Sequence, residues 1–299
     1  MQNILSVKNL SKNYGAVLAL KDLSISVQKG DIYGILGPNG SGKTTTLGII
    51  LGVTNATKGL YSWFENGHSH QERKKIGAML DKPNFYPHLS GLENLKLVAD
   101  IKELKKPEIL DRLELTGMSK NAKRKFYTYS TGMKQRLALA STLLGNPEVL
   151  VLDEPTNGLD PEGIADVREL ILKIADDGTT VIMASHLLDE VQKVCSHVAV
   201  IKNGNKLYEG HVQSLLAADD GIELSSDDLS KLGSVLSKYN GIHKSEKKGE
   251  KFLVKLAPGF KSSELSSFLI TQGVDITHFA HRKGSLEAEF LQLLKEDRD

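Results

Sequence analysis

Gly37-Pro38-Asn39-Gly40-Ser41-Gly42-Lys43-Thr44-Thr45 satisfies the pattern G-x-x-x-x-G-K-[ST] in full. It follows the apolar run Ile32-Tyr33-Gly34-Ile35-Leu36, which reads as a buried strand. Behind it, Thr45-Thr46-Leu47-Gly48-Ile49-Ile50-Leu51 opens a helix. Strand, glycine loop and helix are the context of a phosphate-binding loop. Its glycines let successive backbone N–H groups turn inward on phosphate oxygens. The helix N-terminus adds unpaired donors and partial positive charge. Lys43 supplies a mobile charge for the β- and γ-phosphates, and the Thr44 hydroxyl is placed to hold Mg²⁺. A nucleoside triphosphate bound along Gly37 to Thr45 is the ligand this pattern expects.

Working outward, Ile4–Leu10 and Leu23–Val27 alternate apolar and polar residues, as half-exposed antiparallel strands do. Tyr14, between them, is an aromatic that could stack on adenine; as a single residue it reads more often as packing. After the loop helix, Leu60–Phe64 and Ile76–Leu80 read as strands, the second ending at Asp81. Leucines at helical spacing between Gly91 and about Lys125 predict a helical subdomain, with Pro107 in the first turn of its second helix. Ser130 then precedes a helical run as its N-cap, or as a second anion site.

Val149-Leu150-Val151-Leu152-Asp153-Glu154 is a buried parallel strand with two carboxylates at its C-terminal end, the edge where open α/β sheets bind ligands. Alternation puts Asp153 and Glu154 on different sides, and Pro155 predicts an extended Glu154. Asp160 and Pro161 fit the N-cap and first position of the next helix. Thr179–Ser185 reads as a strand ending at His186, and Asn203-Gly204 as a hairpin turn.

The composition changes after about Ala217. Strands near Ile222, Ile242, Phe252 and Val274–Phe279 alternate with helices near Leu229–Leu236 and Ser262–Gln272, and a last helix starts at Ser285. Lys247-Lys248-Gly249 reads as a connection. This order predicts a small α+β, ferredoxin-like domain. The expected division is 1–217 and 218–299, with the helical subdomain at about 91–145.

Whole-chain composition narrows the classes. Of 299 residues, 40% are hydrophobic and 25% charged, ordinary for a globular protein. A net charge of +1 gives no overall argument for nucleic acid or an acidic membrane surface, and no nucleic-acid partner is expected. Cys195 is the only cysteine, which excludes an intrachain disulfide and fits a reducing cytosol. No signal peptide is expected, and no run of about eighteen apolar residues predicts a membrane span.

Taken together and in order, these motifs resemble the ATP-binding subunits of ABC transporters over about residues 2 to 215. Gly37–Thr45 resembles Walker A. Ser130-Thr131-Gly132-Met133 lies at the signature motif, with Thr131 and Met133 where Gly and Gln are usual. Leu150–Glu154 resembles Walker B with its catalytic Glu. Gly158-Leu159-Asp160 resembles the D-loop, His186 the switch His and Tyr14 the adenine-side aromatic. Asp81 stands where Gln is usual. With Lys82-Pro83 and Ser285–Leu291, that departure resembles the bacterial bacitracin-export branch, which works with ABC-2-type permeases.

The resemblance implies a P-loop ABC ATPase fold, a mixed sheet core with an antiparallel β-subdomain and a helical subdomain. It implies ATP hydrolysis with Glu154, His186 and Lys43 as catalytic residues and Mg²⁺ on Thr44, Asp153 and Asp81. It also implies a head-to-tail homodimer, or a heterodimer with a similar subunit, in which Ser130 to Met133 reach the partner's ATP. A multi-spanning permease would hold the dimer peripherally on the cytoplasmic face of the membrane and would export a peptide antibiotic, drug or lipid. A non-transport regulatory ATPase is the alternative.

Overall fold

A computed structural model of the chain describes residues 2–65, 67, 69–81, 84–105, 108–216, 221–282 and 284–296. Pro107, Lys82 and Pro83 lie outside the described residues. The chain divides into two compact units, one running to Val212 and the other starting at Gln213.

In the first unit, β1 (Asn3–Tyr14) and β2 (Val17–Gln28) form a hairpin, and β3 (Ile32–Leu36) leads into the glycine loop. Next come α1 (Lys43–Ile50), β4 (Lys58–Trp63), the short α2 (His70–Arg73) and β5 (Ile76–Met79). The helices α3 (Gly91–Ile101), α4 (Ile109–Leu115) and α5 (Thr131–Thr142) precede β6 (Val149–Asp153). Then follow α6 (Pro161–Asp176), β7 (Thr180–Ser185), α7 (Leu188–Val194), β8 (His197–Lys202) and β9 (Asn205–His211), and the division into units falls within the short α8 (Val212–Leu216).

Six strands form the central sheet in the order β5-β6-β7-β3-β8-β9. All pairs are parallel except β8 and β9, which join antiparallel through Asn203 (φ 49) and Gly204 (φ 78). Two successive positive φ values are what a tight hairpin turn of Asn-Gly type requires. The strands β6 and β7 are buried at every position, as continuous apolar runs covered on both faces should be. A second, antiparallel sheet, β2-β1-β4, packs against α1 and the central sheet through Leu5, Val7, Leu23 and Ile25. Each such fully buried aliphatic side chain stabilises the fold by about 1.5–3 kcal/mol relative to exposure. Trp63 closes this core, its indole N–H donating to the Ile50 carbonyl at 2.7 Å.

The helical subdomain has its own core of Leu95, Leu113, Phe126, Leu137 and Leu144. Ser90 starts α3 with a capping box, accepting from Glu93 N while Glu93 accepts from Ser90 N at 2.6 Å. These bonds hold the Glu93 carboxyl down at about 2.

The second unit has β10 (Gly221–Ser226), α9 (Leu229–Leu236), β11 (Ile242–Lys248), β12 (Lys251–Leu256), α10 (Ser262–Thr271), β13 (Ile276–Arg282) and α11 (Leu286–Glu296). Its sheet is antiparallel, ordered β11-β12-β10-β13, with a core of Ile222, Leu224, Leu232, Val254, Leu265 and Leu269. Lys247 and Lys248 belong to β11 and pair with Phe252 and Lys251, where a connection is expected from the sequence. An edge strand carrying lysines lacks the apolar alternation that announces a strand, and lysines there block pairing with another chain.

Candidate functional site

The C-terminal ends of β5, β6, β7 and β3 lie side by side, so the segments that leave them share one edge. That edge carries Asp81, Asp153 with Glu154, His186 and the glycine loop. In the loop, a Cβ on Gly37 would lie 2.2 Å from the Ile201 carbonyl oxygen and 2.3 Å from Ser41 Oγ. Gly42, with φ 110, would drive a Cβ to 2.6 Å from Leu20 Cδ2. Neither position admits a side chain. The Ser41 carbonyl accepts from Gly204 N at 3.0 Å, so the β8–β9 turn braces the loop.

Lys43 begins α1 and is buried, with Nζ donating to the carbonyls of Gly37 at 2.8 Å and Pro38 at 3.4 Å. Its ammonium also lies 3.7 Å from Glu154 Oε1. The other carboxylate oxygen, Oε2, lies 2.8 Å from His186 Nδ1 and accepts from His186 N at 3.4 Å. Phosphate-loop lysine, carboxylate and imidazole therefore form one connected chain. Glu154 is not extended: its φ is 48, against the expectation drawn from Pro155. Its N–H donates to Ala184 O at 3.0 Å, and its carbonyl accepts from Asn157 N at 3.1 Å. These bonds hold the left-handed conformation that the proline disfavours, and turn the carboxylate toward Lys43 and His186.

Asp153 is 5% exposed and takes a side-chain hydrogen bond from Thr44. Burial pushes its carboxyl above the usual range; Glu154 and Asp81 add to the rise, while the Thr44 bond and Lys43 oppose it. Its Oδ1 is buried with no hydrogen-bond partner among the described residues, and so is Ser41 Oγ. A desolvated carboxylate with an orphaned oxygen beside a threonine hydroxyl is a hard-oxygen donor set that fits Mg²⁺. Among the described residues, no three His, Cys, Asp or Glu side chains could hold a metal together.

Thr44, Asp81, Asp153 and Glu154 line one cavity of 640 Å³, with Thr131, Gln135 and Asn157 on its walls. The remaining signature residues are not brought to it. Ser130, Gly132, Met133 and Asp160 line a separate cavity of 540 Å³. There Ser130 caps α5, accepting from Met133 N at 3.3 Å, and Asp160 caps α6, accepting from Gly163 N at 2.9 Å. Tyr14 stands at the end of the β1–β2 hairpin, 49% exposed, with Lys12 Nζ 4.8 Å from its ring centroid. Sequence reasoning missed Gln135, a buried amide donating to the Pro155 carbonyl at 2.6 Å and so bracing the turn that carries Glu154. Its only signal is a polar residue at a buried helical position.

Residues 20–157 match the family described as ABC transporter. The chain is 34% identical to the bacitracin transport ATP-binding protein of Bacillus licheniformis, over 98% of both chains. It is 33% identical to the Nod factor export ATP-binding protein I of Ralstonia nicotianae, over 99% of this chain and 95% of that one. It also resembles a dimeric ATP-binding cassette solved in a post-hydrolysis state with ADP and phosphate. There the identity is 27% and the TM-score 0.64, over 70% of this chain and 99% of that one. The chain belongs to the family of ABC transporter ATP-binding proteins and is the ATP-hydrolysing subunit of such a transporter.

Proposed function

We propose that this subunit uses Gly37–Thr45 to hold ATP with Mg²⁺, hydrolyses it with Glu154, His186 and Lys43, and so drives export through a separate ABC-2-type permease. The observation that carries the reading is the chain from Lys43 through Glu154 to His186 at the mouth of the phosphate loop. Mg²⁺, when bound, supplies charge neutralisation at the phosphates, and Thr44 and Asp153 would hold it, with Asp81 on the same cavity wall.

Glu154 takes a proton from the attacking water and, bonded to His186 Nδ1, keeps that carboxylate fixed in orientation. His186 has its second ring nitrogen left for the γ-phosphate. Lys43 exchanges the Gly37 and Pro38 carbonyls for phosphate oxygens, so its charge is in place before bond breaking begins. Tyr14 carries the adenine. Ser130 to Met133 and Asp160, in their own cavity, complete the site of a second copy in a head-to-tail dimer.

A groove of 620 Å³, floored by Leu51, Ile76, Leu80 and Leu104 and rimmed by Arg73 and Lys102, is offered to the permease. Among the described residues no helix is long and apolar enough to cross a membrane, so the spanning part comes from that partner. Attachment is then peripheral, on the cytoplasmic face. The relatives named for bacitracin transport and Nod factor export support export of a peptide antibiotic, drug or lipid over a regulatory role without transport.

The test is Glu154→Gln. Hydrolysis should fall by about 10²–10⁴-fold, the worth of a general base, while ATP still binds and traps the closed dimer. Near-normal turnover in the purified variant would overturn the assignment.

A further inference from the structure

We infer that Arg168 is a positioning residue for His186, acting through Glu190. The inference rests on the reading of His186 as the group that orients Glu154 and meets the γ-phosphate. His186 lies between the end of β7 at Ser185 and the start of α7 at Leu188, so its backbone is only as fixed as those two elements. The strand β7 is buried throughout. The helix α7 has seven residues and no side-chain N-cap bond, too short to hold its own conformation in water. Its orientation must come from what it packs against.

Two contacts supply that orientation. On one side, Val191 and Cys195 lie against Gly34 of β3, where a Cβ would meet Val191 Cγ1 at 2.9 Å and Cys195 Sγ at 3.0 Å. This apolar contact sets the distance of α7 from the sheet but does little to stop it turning about its own axis. On the other side, Arg168 Nη1 donates to both carboxylate oxygens of Glu190, at 2.9 and 3.2 Å. Glu190 is 7% exposed. A guanidinium nitrogen shared between both oxygens of a buried carboxylate is a charge-assisted tether, and it restrains the rotation that the apolar contact leaves open.

The element on which Arg168 stands is rigid. The helix α6 has sixteen residues, Asp160 as N-cap, Pro161 in its first turn and Val167, Leu170, Ile171 and Ile174 buried. It begins directly after Gly158-Leu159-Asp160. The pair therefore ties the placement of His186 to the helix led by the segment that faces the second copy. A Glu at position 190 also lies in the first turn of α7, where a carboxylate favours the helix, but that effect alone needs no Arg168.

The test is a double-mutant cycle in steady-state ATP hydrolysis by the purified full chain, with kcat and KM measured separately. Arg168→Gln should lower kcat by about ten- to a hundredfold, the scale of an ångström-size misplacement, with KM for ATP changed less than about threefold. His186→Ala should lower kcat at least as far. In the His186→Ala background, Arg168→Gln should cost less than about twofold further, because the group it positions is gone. If the two losses multiply, Arg168 does not act through His186 and the inference is overturned. If His186→Ala alone keeps full turnover, the reading of His186 falls instead, and the two failures are distinguishable. Removing one partner leaves a buried charge. Should Arg168→Gln not fold, Glu190→Gln and the exchanged pair Arg168→Glu with Glu190→Arg complete the cycle. Glu190→Gln should follow the same non-additivity, and the exchanged pair should recover part of kcat; multiplicative losses again overturn the proposal.

Discussion

Replacing Glu154 by glycine should stabilise the chain relative to replacing it by alanine. Both variants lose the carboxylate, its 3.7 Å approach to Lys43 and its bond to His186, so those contributions cancel in the comparison. What differs is one Cβ on a residue with φ 48 that precedes a proline. A Cβ in the left-handed region costs about 1–2 kcal/mol. Glycine returns about 0.4–1 kcal/mol of that through the greater freedom of its unfolded chain. The difference is about 0.5–1 kcal/mol in favour of glycine, which for a unit of this size is a rise in Tm of about 1–4 °C. At a position with ordinary backbone geometry the order is the reverse. Thermal and urea unfolding of the two variants, without nucleotide, reads the difference directly, and neither should hydrolyse ATP. Alanine equal to or more stable than glycine would refute the idea that the Glu154 carboxylate is held by a strained backbone.

Two further outcomes can be checked with the same protein. Burial raises the Asp153 carboxyl in the folded chain, so its contribution is fully favourable below the unfolded value of about 3.9 and is lost as pH rises through the raised folded value. Asp153→Asn should therefore be more stable than the native chain at pH 8 without nucleotide or divalent ions. The gap should close toward pH 4, and a gap that does not change with pH would show that the carboxylate is not under strain. Asp81 shares a cavity with Thr44 and Asp153, and Leu80 just before it lines the groove proposed for the permease, so Asp81→Ala should leave ATP binding intact and weaken stimulation by the reconstituted permease, with Asp81→Gln milder; equal stimulation of native and Asp81→Ala protein would show that Asp81 takes no part in that coupling.

The parts of this site that were legible in the sequence are those whose chemistry is local. The phosphate loop needs glycine where Gly37 and Gly42 meet backbone and Leu20, and the pattern of residue types records that need. Ser130 and Asp160 cap helices through bonds only three residues long, and Pro161 fills the first helical position, where its missing N–H costs nothing. Glu154 misled because the proline rule is also local, whereas the bond from its N–H to Ala184 on the neighbouring strand is not. The helix α7 escaped notice because seven residues give too few turns for periodicity to register. The Arg168–Glu190 contact joins residues on two helices, and no spacing within either one announces it.

The Asn203-Gly204 turn carries a practical consequence for anyone handling this protein. A two-residue hairpin tip is where a tag, a fluorophore or a short insertion is ordinarily tolerated. Here the Gly204 N–H supports the phosphate loop at Ser41, and its carbonyl accepts from Lys21 N at 2.9 Å. A side chain at Gly204 would also collide with Ala19 O at 2.8 Å. The tip acts as a bracket between the β2 strand and the nucleotide loop. Labels intended to report on nucleotide binding without disturbing it belong elsewhere, for example at the exposed Glu250 in the β11–β12 turn of the second unit.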